Sequence, residues 1–175
     1  VVKSTGVLRR VDELGRIVIP KEIRKNLKIR DGESLEIFIN GDAVVLKKYS
    51  YMSDLNDIAQ ACSDSFYDII NKNILITDRD CVIASSGSLK KKYNGKEISQ
   101  SLSNIIDKRS VTMNNSNDGL EIISGIVEES KYIVSSVIVS GDAVGSVIIL
   151  SDENINDTEE KCSNFIAKFL SKHLE

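Results

Sequence analysis

The stretch DELGRIVIPKEIRKNLKI, residues 12–29, holds the only proline of a 175-residue chain and a dense run of cations after it. Pro20 fits the opening of a helix, where its missing N–H is no loss and its fixed φ helps. With Lys21 set at zero and about 100° per residue, Lys25 falls near 40°, Lys28 near 340° and Arg24 near 300°. Ile23 and Leu27 fall near 200° and 240° on the same wheel, so one face is cationic and the other apolar. Lys21/Lys25 and Arg24/Lys28 are like-charge pairs four apart, each costing about 0.2–0.5 kcal/mol in a free helix. Phosphates explain such a face better than solvation alone. Glu22 lies outside the arc and does not cancel it.

Outward from the helix, TGVLRRV (5–11) and RIVI (16–19) are expected as short strands joined by DELG, with Gly15 supplying a positive φ at the reversal. Arg9, Arg10 and Arg16 add charge from these strands. Neighbouring strand residues point to opposite faces, so Arg9 and Arg10 meet one ligand only through twist or at an edge. After Asp31-Gly32, SLEIFIN and AVVLKK alternate around Asn40-Gly41-Asp42 and predict a hairpin. About 50 residues bury too little surface to stand alone. A second copy is expected to complete the core, so dimerisation is predicted.

The net charge of −3 hides an asymmetry. Residues 1–53 hold 11 Lys/Arg against 7 Asp/Glu, whereas residues 54–175 hold 12 against 19. A cationic head on an anionic body points to a polyanion partner for the head alone. Cys62, Cys81 and Cys162 form no CxxC pair, which argues against zinc and a disulfide framework and for a reducing compartment. No apolar run approaches the roughly 20 residues that cross a bilayer, and no signal-peptide pattern is present. A cytoplasmic, nucleoid-associated protein without membrane contact is expected.

The boundary between two domains, 1–53 and 54–175, is placed after KKYSYMS. A helix over SDLNDIAQACSDSFYDIINK follows, with Leu55, Ile58, Cys62, Phe66 and Ile70 on one face and Ser53 as N-cap. NILITDRDCVIASSG reads as strand, turn, strand, and residues 97–108 as a further helix. GLEIISGIV, KYIVSSVIV and VGSVIIL are expected as three strands. The closing DTEEKCSNFIAKFLSKHLE is a helix whose Asp157 and Glu160 have capping-box spacing. The order predicts an α+β sandwich with helices covering a sheet.

Residues 3–49, with the motif DELGRIVIPKEIR, resemble the swapped-hairpin DNA-binding domain of AbrB-like transition-state regulators. The resemblance implies two chains interleaving their hairpins into a dimeric barrel on double-stranded DNA. It implies DNA contacts from Arg9, Arg16 and Arg24, with basic residues at the positions of Arg10 and Lys25. Lys25 stands where an arginine is common and Lys21 where an apolar residue is common. Lysine lacks the bidentate fork, so Lys25 suits a phosphate better than a base. With Lys28 from the helical wheel, seven residues form the expected DNA-binding set.

The second module resembles a GAF domain, a fold of small-molecule sensing or dimerisation, through LITDRDCVIASSGSLKKKY and GDAVGSVIILS. Head and body together resemble a family of sporulation transcription regulators. That resemblance implies a homotetramer joined through the helices at 53–71 and 157–174. A pocket for a small-molecule effector is expected near Ser85, Ser86 and Gly87. No Ser/His/Asp order, nucleophile elbow or phosphate loop appears, and the lone His173 suits a helix end. Neither an enzyme nor a metal or other cofactor is expected. An antitoxin-like protein that binds DNA and a protein toxin is the alternative, although a patterned body stands where such proteins carry a flexible tail.

Overall fold

A computed structural model describes residues 5–175, the side chain of Ser53 excepted. The chain divides into two units, Val1–Tyr49 and Ser50–Glu175.

In the first unit, the helix α1 spans Lys21–Asn26 behind Pro20. Leu35–Asn40 (β1) and Ala43–Lys48 (β2) form the expected antiparallel hairpin, with Asn40 opposite Ala43. Segments 5–11 and 16–19, expected as strands, carry no strand pairing. A strand needs a neighbour for its N–H and C=O groups, and none of the described residues supplies one to these segments. No described residue of 5–49 is buried, and Leu8 and Ile39 are 91% and 84% exposed.

The helix is also shorter than the wheel required. Ile29 N donates to Arg24 O (2.8 Å) and Lys28 N to Lys25 O (3.2 Å), with Lys28 at φ +54°. This is a Schellman stop with lysine at the position usually given to glycine. Lys28 therefore leaves the cationic arc of Lys21, Arg24 and Lys25.

The second unit begins with a 3₁₀ turn, Ser53–Leu55, before α2 spans Asn56–Ile70. The expected capping side chain of Ser53 lies outside the described residues. Strands β3 (Asn73–Thr77) and β4 (Val82–Ser86) follow, then the short helix α3 (Lys90–Tyr93) and α4 (Gln100–Ile106). Ser99 caps α4 by accepting Leu102 N at 2.9 Å. Next come β5 (Val111–Asn114), β6 (Leu120–Ile123), β7 (Ile126–Glu128), β8 (Lys131–Val139), β9 (Asp142–Ser151) and α5 (Asp157–Leu174). The single strand expected over GLEIISGIV is instead the β6–β7 hairpin, turning at Ser124-Gly125.

Five strands form one antiparallel sheet in the order β4-β3-β9-β8-β5. Side chains alternate across it and build a core on each face. Ile74, Ile76, Val147 and Ile149 pack beneath α2 and α5 with Phe66, Ile166 and Leu170. Leu75, Ile148 and Leu150 face the other way, towards Tyr93, Leu102, Ile106 and Ile122. Coverage on both faces explains the uninterrupted apolar runs of β3 and β9. Serine pairs pin both long helices to the sheet: Ser63 Oγ to Ser86 Oγ at 3.0 Å, and Ser163 Oγ to Ser135 Oγ at 2.8 Å.

The capping box of α5 lies one residue earlier than its expected position. Asn156 Oδ1 accepts Thr158 N (2.8 Å), while Glu159 Oε2 accepts Asn156 N (3.0 Å). Glu159 also receives Lys72 Nζ at 2.5 Å, which ties the end of α2 to the start of α5.

Candidate nucleic-acid interface

The turn at residues 12–16 is closed from several sides. Asp12 N donates to Arg16 O (3.0 Å) and Gly15 N to Asp12 O (2.9 Å). Asp12 Oδ1 accepts Leu14 N (3.0 Å) and Arg16 N (2.8 Å). Gly15 at φ +75° takes the left-handed conformation that the reversal demands. The remaining carboxylate oxygen, Oδ2, accepts Arg16 Nε at 2.7 Å. The Arg16 main-chain and side-chain bonds, aided by Leu14 N, hold the Asp12 carboxyl below its usual range. It is therefore charged at neutral pH.

Arg9 and Arg10 leave the segment before this turn, and both are exposed. Arg9 Nη1 donates to Leu8 O at 2.9 Å. Lys21, Arg24 and Lys25 share α1; Lys21 and Lys25 point into solvent with no ion pair among the described residues. Arg24 is half-buried and bonded through Nη1 to Asp31. Lys28 is exposed beyond the end of the helix. One other cation of the first unit does structural work: Lys48 Nζ pairs with Glu33 Oε1 (3.2 Å), while Glu33 Oε2 accepts the main-chain N–H of Arg30 (2.8 Å). Six of the seven expected residues are thus accessible cations, and Arg24 is partly so. Asp12, which the charge pattern passed over, proves to be the fixed point of the turn; its place four residues before Arg16 was the signal available.

In the second unit, the residues expected at an effector pocket are closely packed. Ser86 Oγ donates to Asp64, and Gln60 Nε2 donates to Ser86 Oγ at 3.2 Å. The Ser86 hydrogen bond leads the effects that lower the Asp64 pKa; burial opposes it, and Gln60 and Lys90 add to it. A Cβ at Gly87 would lie 2.3 Å from Asn73 Oδ1, so the backbone there touches its neighbours. Ser85, opposite Leu75 in the register, faces the second core, where its buried Oγ has no hydrogen-bond partner among the described residues. An apolar groove of about 610 Å³ lies on the other side of the sheet, between α2 and α5. Ile58, Cys62, Phe66, Cys162, Phe165 and Phe169 help to line it. Ile69 and Phe165 on its walls are 80% and 69% exposed.

Residues 54–175 match the family model described as stage V sporulation protein T C-terminal, transcription factor. Residues 8–54 match that of the antidote-toxin recognition protein MazE, a bacterial antitoxin. The chain is 43% identical over 177 residues to stage V sporulation protein T of Bacillus subtilis (strain 168), covering 99% of each. It is 52% identical over 48 residues to the transition state regulatory protein AbrB of the same organism, covering 27% of this chain and 50% of that protein. The GAF domain of an Acinetobacter phosphoenolpyruvate-protein phosphotransferase superposes with a TM-score of 0.58 at 12% identity, covering 69% of this chain and 81% of that one. The last likeness shows that the second unit has the GAF fold.

Proposed function

Because the chain belongs to the stage V sporulation protein T family of transcription factors, we propose that its first unit grips duplex DNA as a pair of copies through the cations of residues 9–28, and that its second unit joins two such pairs. The protein is a DNA-binding regulator of sporulation rather than an enzyme. It acts on chromosomal DNA in the cytoplasm.

The observation that carries the DNA contact is the exposed cationic set of the first unit. Arg10, Lys21 and Lys25 have no ion pair among the described residues, so little is lost when phosphates replace water around them. Pairing of copies is supported by the absence of buried residues in 5–49 and by the unpaired segments flanking the Asp12 turn. Joining of pairs is supported by the apolar groove between α2 and α5, where large side chains stand in water. An effector reading rests on Ser85 Oγ alone, and Ser85→Ala should then abolish any metabolite-induced thermal shift.

Titrating the full chain onto genomic duplex fragments at increasing salt tests the main reading. About eight phosphate contacts give a log–log slope near −7. Binding that ignores salt overturns it.

A further inference from the structure

Arg16 and Lys25 are both exposed cations, yet their surroundings differ. Lys25 has no ion pair among the described residues, as suits a mobile phosphate contact. Arg16 is 72% exposed but tethered at Nε by Asp12. A carboxylate beside a phosphate-binding cation weakens that cation's attraction to DNA, so a purely electrostatic role leaves Asp12 unexplained. Geometry explains it. Asp12 is itself fixed by four hydrogen bonds of the turn, two through its main chain and two through Oδ1. Its free oxygen therefore meets Arg16 Nε from a defined direction.

Nη1 and Nη2 of Arg16 have no hydrogen bond among the described residues. They present two N–H groups in the fork that matches O6 and N7 of guanine. A guanidinium already held in place loses less rotamer freedom on binding. Arg24 is held differently: its partner Asp31 has a side chain 93% exposed and is not built into the Asp12 turn.

We infer that Asp12 is a positioning residue for sequence recognition, aiming the Arg16 guanidinium at a base edge in the major groove. This rests on the reading of Arg16 as a DNA-contacting residue. Asp12 lends specificity while subtracting from general affinity.

The test uses the full chain as wild type, Asp12→Asn, Arg16→Ala and the double variant. Asparagine keeps an Oδ1 that can accept Leu14 N and Arg16 N, but it removes the charge that holds Nε. Duplexes are enriched from a random-sequence pool by the wild type. Affinities are then measured for the enriched duplex, its single-base variants and an unenriched duplex. Asp12→Asn should lower discrimination about tenfold at the same base positions that Arg16→Ala affects. Its affinity for the unenriched duplex should hold or rise, and it should change nothing further in the Arg16→Ala background. Wild-type discrimination in Asp12→Asn, with loss in Arg16→Ala, overturns the role of Asp12 and leaves Arg16 as a reader. Wild-type discrimination in Arg16→Ala overturns both. Equal weakening on every duplex, in both backgrounds, reduces Asp12 to a turn-former and also overturns the inference.

Discussion

Lys28 is strained where a glycine would relax. At φ +54° its Cβ crowds the following carbonyl, and the Schellman stop holds it there. Lys28→Gly should therefore stabilise the first unit by up to about 1 kcal/mol, read from denaturant midpoints. If the lysine meets a phosphate, the same variant lowers the salt slope by about one. Glu159 is the second telling residue, because its side chain is only 4% exposed yet ionised. Burial alone would raise its pKa; the Lys72 ammonium and the amides of Asn156 and Glu159 outweigh burial and hold it below the ordinary 4.5. A lowered folded pKa means that the stabilisation is fully present above the unfolded value and lost as pH falls through the folded one. Acid melts should show this loss below about pH 4.5 in the wild type, and it should be missing from Glu159→Ala. At neutral pH Glu159→Ala should cost about 2 kcal/mol in urea unfolding, because the cap opens and Lys72 keeps only the exposed Glu153 carboxylate, 3.6 Å away.

Elements with a long apolar period were legible in the sequence, and those fixed by one or two hydrogen bonds were not. The stripes of α2 and α5 and the runs of β3, β8 and β9 sit where their patterns put them. The four-residue α3 and β5 are too short for a period to show, so they passed unseen. Asn156 took the cap expected of Asp157 because its neutral amide oxygen reaches Thr158 N while Glu159, not Glu160, reaches back. Ser124-Gly125 looked like the interior of a strand because apolar residues stand on both sides. The cations of the first unit were legible because charge and spacing need no contacts to be seen, whereas Asp12 becomes visible only with the turn. The exposed wall of the α2–α5 groove should make assembly sensitive to a single substitution. Phe165→Asp should leave the sheet core intact, since that ring stands mostly in water. It should also halve the assembly mass in sedimentation at a fixed concentration while DNA binding by each pair persists.

For the whole molecule, charge and burial divide along similar lines. The anionic body has a core on each face of its sheet, and the cationic head has no buried residue of its own among those described. Residues 50–175 should consequently melt at a temperature independent of concentration up to the onset of groove association. Residues 1–53 should melt higher as concentration rises, because pairing and folding are one equilibrium; calorimetry over a hundredfold range in concentration checks both. Much of this division was legible from the count of cations and from the size of the head, whereas the GAF body was recognised by resemblance, since helix-covered sheets share common patterns. The strand order adds a consequence for synthesis. β9 lies at the centre of the sheet, bonded to β3 on one side and β8 on the other. The ribosome must therefore release the chain through Ser151 before the body can close, and β3, already paired with β4, waits some 70 residues for its second neighbour. The head, built from nearby segments, has emerged long before. Neighbouring nascent chains on one message can couple their heads while both bodies are still unfinished, favouring pairs born from the same transcript.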